Sequence, residues 1–130
     1  MKRLVLVALL VAASSASAQQ APSPSHAAAL KSALRNLVVA QENYFMNHGT
    51  YTTDVAALGL FWRGAPRDSI FLQVVNAGGR SWNGRAVHQG ARDKSCVIYV
   101  GYKNDLPSSP VTEADSVAAK NEGEPVCDRM

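Results

Sequence analysis

Residues 30–48 have the apolar spacing of one long amphipathic helix, and this helix constrains the fold more than any other feature. Apolar side chains recur at three- and four-residue steps, which places them on a single helical face. They are Leu30, Leu34, Leu37, Val38, Tyr44 and Phe45. Ser23 or Ser25 can cap the start, and Gly49 can adopt the left-handed conformation that ends a helix. About 24 residues span roughly 36 Å, close to the diameter of a small domain, so the helix must be the spine of the fold.

Three later segments are predicted strands because they are rich in β-branched and aromatic residues. They are residues 69–75, 81–89 and 95–102, of which the second is weaker because glycine interrupts it. The links NAGGR and GARDK resemble turns and favour an antiparallel meander. Thr53 is the expected cap of a short helical turn that Gly59 stops, and the region after Lys103 is expected to be mostly loop. The predicted class is α+β, a long N-terminal helix packed on a three- to four-stranded antiparallel sheet.

The first 18 residues have the pattern of a secretory signal peptide. Lys2 and Arg3 precede an apolar run over residues 4–13, and the small residues before Gln19 suit a signal peptidase. A retained anchor is the alternative, but the run is much shorter than the roughly 20 residues that span a bilayer. We therefore expect residues 1–18 to be removed, 19–27 to form a flexible leader and 28–130 to form one domain. The protein is expected to be exported to the periplasm, cell surface or medium, without stable membrane insertion.

The charge distribution is uneven along the chain. Removal of Lys2 and Arg3 reduces the 13 basic residues to 11, against 10 acidic residues, so the net charge says little about partners. Basic residues predominate from Arg63 to Lys103, and acidic residues predominate after Asn104. We interpret both regions as solvated surfaces that partly neutralise one another in the fold. Binding of nucleic acid by the basic middle region is the alternative.

Cys96 and Cys127 are the two cysteines of a chain that is predicted to enter an oxidising compartment, so one disulfide between them is expected. It would close a loop of about 30 residues and contribute roughly 3.5 kcal/mol in the chain-entropy model. The histidines at 26, 48 and 88 do not have zinc-ligand spacing, so neither a metal nor a cofactor is expected. The serines have no glycine-flanked nucleophile motif and no phosphate-binding loop is present, which argues against an enzyme.

One group of aromatic and basic residues is a candidate binding surface. It consists of Trp62, Arg63, Arg80, Trp82 and Arg85. A tryptophan beside arginines can anchor a protein interface or stack on a nucleobase, because it offers a large area next to a cation. The same tryptophans can instead cover the core, and the sequence leaves both alternatives open.

The order of these features, with the segment AQENYFMNHGTYTTDVAALGL at the end of the helix, resembles the globular head of a type IV pilin or a type II secretion pseudopilin. The similarity is best over residues 28–62 and is carried by the helix and by the turn with Tyr44, Gly49 and Tyr51. A prepilin leader and its apolar stem of some 20 residues do not precede this helix. The resemblance implies a non-enzymatic structural or interaction protein. Its expected partner is a protein of the cell envelope or of a pilus or secretion assembly, and its expected state is a monomer or small oligomer.

Overall fold

The computed structural model describes residues 25–61 and 69–130, so the predicted signal peptide and most of the leader lie outside the described residues. The elements are α1 (His26–His48), a 3-10 turn (Ala57–Phe61), β1 (Ile70–Ala77), β2 (Trp82–His88), β3 (Ala91–Val100), a second 3-10 turn (Lys103–Asp105) and β4 (Val126–Cys127). The described strands form one antiparallel sheet in the order β1-β2-β3-β4. The predicted α+β class is therefore confirmed in coarse form.

Helix α1 begins and ends at the predicted caps. The Ser25 hydroxyl accepts a hydrogen bond from the Ala28 N–H at 3.2 Å. Gly49 has a φ of 70° and its N–H donates to the Phe45 carbonyl at 2.7 Å, a left-handed helix end that glycine adopts without strain. Because the cap is Ser25, residues 26–27 are helical rather than part of the predicted flexible leader. No helix within the described ranges has the length and hydropathy needed to cross a membrane.

The helix faces the sheet with its apolar side. Leu37 is fully buried and Tyr44 is partly buried, whereas Arg35 and Glu42 are exposed, as the spacing predicts. The core lies between this side of the helix and the inner face of the sheet. The helix orientation inferred from the sequence is therefore correct.

Gln41 is a buried polar residue on the same helix that periodicity does not single out. Its side-chain amide donates to the Thr52 carbonyl at 2.7 Å and accepts from the Thr52 N–H at 3.2 Å. Both ends of the amide are thus satisfied, as burial requires. The pair of bonds fixes the chain that leaves α1 against the helix.

The 3-10 turn after α1 differs from its prediction. Asp54, rather than Thr53, caps it, because the Asp54 carboxylate accepts from the N–H groups of Ala56 and Ala57 at 3.0 and 3.3 Å. The turn also continues past Gly59 instead of ending there. A carboxylate placed immediately before the turn reaches two free N–H groups.

Strand β3 starts earlier than predicted. His88 of β2 pairs with Ala91 of β3, so most of the GARDK link is strand and the turn contains Gln89 and Gly90. This strand end pairs through its backbone while its polar side chains remain at the surface. Composition therefore gave no strand signal here, since strand propensity mainly reports burial and packing.

The predicted disulfide joins Cys96 of β3 to Cys127 of β4. In the residue pair next to the two cysteines, the Asp128 N–H donates to the Ser95 carbonyl at 3.0 Å. The two cysteines therefore form the neighbouring pair without backbone hydrogen bonds, which is the pair whose side chains approach most closely. Their Cα atoms are 4.0 Å apart. The bond holds the end of the chain on the sheet.

Gly84 lies where the sheet packs closely against α1. A Cβ atom there would lie 2.8 Å from the Gln73 carbonyl oxygen, 3.4 Å from the Trp82 ring and 3.6 Å from a Leu37 methyl group. The space that a side chain would occupy is filled by the buried indole of Trp82 and by the helix. Glycine at this position is thus a packing requirement of the core.

Replacement of this glycine tests the packing. Gly84→Ala should destabilise the protein by about 1–3 kcal/mol, because the added methyl group meets backbone that must shift. Urea unfolding would measure the change. Gly79→Ala is the matched control, since a Cβ there meets no atom within 4 Å, and it should change stability by less than about 0.5 kcal/mol. Equal effects of the two substitutions would contradict this account of the core.

Candidate functional site

The five residues predicted to form a binding surface do not form a single surface. Trp62 and Arg63 lie outside the described residues. Trp82 is completely buried, because its register on β2 turns the indole toward α1. It therefore belongs to the core, the alternative that the sequence left open, and its assignment to a surface is corrected. Arg80 and Arg85 remain at the surface but in different places.

Arg85 lies on the outer face of the sheet, opposite α1. Its guanidinium donates to the Glu113 carboxylate at 2.8 Å. Both residues line an open groove of about 470 Å³ between the β1–β2 part of the sheet and residues 109–116. The groove is therefore polar, and its arginine is already paired with an acidic residue of the C-terminal region.

Arg80, in the turn between β1 and β2, forms a more distinctive group with Tyr102 and Asp105. Its guanidinium carbon lies 5.3 Å from the centre of the Tyr102 ring, and the guanidinium also donates to the Asp105 carboxylate at 2.9 Å. The Arg80 side chain is 73% exposed and Tyr102 is 65% exposed. We call these three residues the Arg80 cluster. It places a cation and an aromatic ring together in solvent.

The backbone beneath the Arg80 cluster is held in place. The Tyr102 N–H donates to the Ser81 hydroxyl at 2.7 Å, and Gly101 has a φ of 89°. A Cβ on Gly101 would overlap the Arg80 carbonyl oxygen. Glycine is required here both for its backbone conformation and for the close approach of the two segments. The backbone therefore holds the side chains of the Arg80 cluster next to one another at the surface.

A buried asparagine fixes the C-terminal region on the outer face of the sheet. The side-chain oxygen Oδ1 of Asn83 accepts from the backbone N–H and from the side-chain amide of Asn76, both at 3.1 Å. The Asn83 amide nitrogen donates to the Ser108 carbonyl. This network was not predicted, because Asn83 finds its partners in Asn76 and Ser108, which lie elsewhere in the sequence. The available indication in the sequence was that Asn83 lies within a segment whose residues otherwise alternate as in a strand.

Asp128 is the second polar anchor that sequence reasoning missed, and it is only 3% exposed. Its carboxylate accepts from the N–H groups of Ser95, Ala114 and Asp115 at 2.9, 3.0 and 2.7 Å. Burial alone would raise the pKa of Asp128, but the Thr112 side chain and these backbone donors lower that pKa to about 2. The ionised carboxylate ties the 112–115 loop to β3. In the sequence, the only indication of this role is that Asp128 directly follows Cys127.

The cysteines and two of the histidines at described positions contact other groups of the fold. In the described part of the chain, no group of three or more His, Cys, Asp or Glu side chains is arranged to hold a metal. His26 and His88 stack with ring centres 4.1 Å apart, and stacked rings direct their nitrogen lone pairs side by side rather than toward a shared ion. Both cysteines are consumed by the disulfide.

Among known proteins, no family model matches the chain and no curated protein matches it in sequence. The binding properties of the protein surface are therefore inferred from the residues that it exposes. The Arg80 cluster presents exposed groups together and can contact a partner through charge, hydrogen bonds and an aromatic face.

The Asp128 anchor predicts acid sensitivity. Asp128→Asn should destabilise the protein by about 2 kcal/mol or more, because an amide replaces the charge that accepts three backbone hydrogen bonds. The folded pKa of about 2 lies below the ordinary 3.8, so this contribution is complete above pH 3.8 and is lost as the pH falls toward 2. Urea unfolding at several pH values would show the stability gap between wild type and variant closing over that interval.

Asp105→Asn is the matched control, because it makes the same chemical change in an exposed ion pair. Such pairs contribute about 1 kcal/mol or less, so the control should unfold close to wild type at neutral pH. A stability gap for Asp128→Asn that stays constant down to pH 2 would contradict the assigned role.

Proposed function

We propose that this chain is an exported, non-enzymatic pilin-like protein that acts as a structural or interaction protein of the periplasm or cell surface. The observation that supports this most is the architecture. A 23-residue helix packs across a four-stranded antiparallel meander, and a disulfide joins the C-terminal region to the sheet. This is the arrangement expected from the resemblance, which is best over residues 28–62.

Export is supported by the disulfide and by the sequence of residues 1–18. Disulfides persist in oxidising compartments such as the periplasm and are rare in the cytosol. The bond between Cys96 and Cys127 is present in the fold. A charged start, an apolar run and small residues before Gln19 form the pattern of a cleaved secretory signal.

The proposed partner is a protein of the cell envelope, or of a pilus or secretion assembly, and the Arg80 cluster is its proposed contact. Arginine and tyrosine are enriched at the centres of protein interfaces, where they combine large contact area with directional hydrogen bonds. Arg80 and Tyr102 are both strongly exposed and lie against each other on a fixed backbone. A surface that is already ordered loses little conformational entropy on binding.

Nucleic-acid binding through the basic middle region is a weaker candidate. Arg80 and Arg85 are bonded to carboxylates of the acidic C-terminal region, at 2.9 and 2.8 Å. Lys103 donates to the Ala119 carbonyl and lies over the Tyr99 ring. A phosphate would have to displace these partners before it could use the cations. These contacts of Arg80, Arg85 and Lys103 within the fold favour a protein partner.

Affinity capture tests the proposal. Residues 19–130 would be immobilised and exposed to an extract of the native cell envelope, and the retained proteins identified. The Arg80→Ser/Tyr102→Ser variant should lose the specific partner, because it removes both exposed groups of the cluster. Arg35→Ser/Val39→Ser removes a comparable cation and apolar side chain from the exposed face of α1 and should retain it.

Salt distinguishes the two candidate partners. A protein complex should withstand moderate salt, whereas binding to nucleic acid weakens steeply as salt increases, because phosphate contacts release counterions. Recovery of nucleic acid that elutes steeply with salt would support the alternative. Equal partner recovery by the cluster variant and the control would exclude the Arg80 cluster as the contact.

A further inference from the structure

The groove on the outer face of the sheet has the size of a ligand site. Its volume of about 470 Å³ falls within the range of about 300–1000 Å³ that is typical of small-molecule pockets. The floor is formed by β1 and β2, where Gln73 pairs directly with Arg85. Residues 109–113 and Ser116 form the wall. A ligand in this groove therefore lies across the face of the sheet rather than along its edge.

The wall of the groove is held at two points. Directly before it, the Asn76 side-chain amide donates to the Ser108 carbonyl at 2.9 Å. Within it, the Glu113 N–H donates at 2.8 Å to the hydroxyl of Ser95, which is fully buried. A wall that is fixed before a ligand arrives loses little conformational entropy on binding.

The rim of the groove contains a strained residue. Ser116 has a φ of 54°, a left-handed conformation that residues other than glycine rarely adopt. Its N–H donates to the Thr112 carbonyl at 3.1 Å, and the Thr112 hydroxyl accepts from the Val117 N–H at 2.9 Å. Backbone strain that is enforced by surrounding contacts is concentrated at ligand sites. The shape of this rim is therefore a second indication of a binding role.

The side chains that line the groove offer hydrogen-bond donors and acceptors with balanced charge. Arg85 and Glu113 neutralise each other through a 2.8 Å bond, and their side chains are 29% and 52% exposed. This bond uses one guanidinium nitrogen and one carboxylate oxygen, so further N–H donors and the second oxygen can face a ligand. The exposed side chains of Gln73, Ser109 and Ser116 add an amide and two hydroxyls.

We propose that this groove binds a neutral oligosaccharide. Each sugar hydroxyl both donates and accepts hydrogen bonds, which matches the mixed polar lining. The C–H faces of sugar rings suit the apolar members of the lining, which are Val75, Pro110 and Val111. An uncharged ligand leaves the Arg85–Glu113 pair intact, whereas a charged ligand would bring a charge without a counterpart.

An extended peptide suits the groove less well. Peptides that bind to sheets pair their backbone with a free strand edge. In the groove, Gln73 and Arg85 belong to strands that are already paired with each other, so the floor offers side chains only. Proline-rich peptides use grooves lined by aromatic rings, and none of the described residues that line this groove is aromatic.

NMR titration of residues 19–130 tests the proposal. The probes are the neutral oligosaccharides cellotetraose, maltotetraose and chitotetraose, added to millimolar concentration. At least one of them should shift the backbone amides of residues 109–113 and the side-chain amide of Gln73. Moderate salt should not weaken this binding, because salt screens interactions between charges.

Variants of the lining separate binding in the groove from binding elsewhere. Gln73→Ala should weaken binding about two- to tenfold, the range for loss of one hydrogen bond. Gln89→Ala is the matched control, since it makes the same change at an exposed glutamine in the turn between β2 and β3, and it should bind like wild type. Arg85→Met/Glu113→Leu removes the ion pair without leaving an unpaired charge and should weaken binding further, while the amide signals of α1 show that the fold is kept.

Four results would overturn the proposal. They are the absence of groove shifts with all three oligosaccharides, equal binding by Gln73→Ala and Gln89→Ala, tighter binding of an anionic oligogalacturonate, and tighter binding of a neutral serine-glycine peptide. The groove is separate from the Arg80 cluster, so the Arg80→Ser/Tyr102→Ser variant should bind the oligosaccharide like wild type. Failure at one surface therefore leaves the proposal for the other intact.

Discussion

The absence of a side chain at Gly84 sets the distance between the helix and the sheet. Leu37 of α1 and the Trp82 ring both reach this position, and the Gln73 carbonyl closes it from β1. The indole Nε1 of Trp82 has no hydrogen-bond partner among the described residues. An unpaired buried donor costs about 1–3 kcal/mol, whereas burial of roughly 200 Å² of aromatic surface contributes about 5 kcal/mol. The gain from burying the ring therefore exceeds the cost of the unpaired indole N–H. Trp82 stabilises the core because its side chain fills a large volume there.

Features with local causes could be predicted from the sequence. Apolar spacing, Ser25 and Gly49 specify α1 because periodicity and caps act within a few residues. The disulfide followed from the number of cysteines and the predicted compartment. Asp54 and Thr53 are adjacent residues with similar capping ability, so composition could not separate them, and the geometry of the turn decided for Asp54.

Features with causes distant in the chain could not be predicted. The sequence left open whether Trp82 lies at the surface beside Arg80 and Arg85 or in the core, and the structure turns its side chain toward α1. The register of the strand, rather than the neighbouring charges, determines which face a side chain joins. The role of Asp128 as an anchor can be seen only in the fold, where residues of the 112–115 loop lie within hydrogen-bond distance of its carboxylate. The same topology pairs Arg80 and Arg85 with acidic residues 25 and 28 positions away, and this agrees with the partial neutralisation that the charge distribution predicted.

The two edges of the described sheet are treated differently, and this difference limits the assemblies that strand pairing can form. β4 is joined to β3 by the Cys96–Cys127 bond, and Asp128 directly after β4 holds the 112–115 loop through hydrogen bonds that do not depend on the disulfide. The groups of Ile70 and Leu72 that point away from β2 have no hydrogen-bond partner among the described residues. Strand addition needs accessible backbone groups along an edge, and β4 offers two residues for it whereas β1 has eight. The length of the edge therefore limits strand pairing more strongly at β4 than at β1.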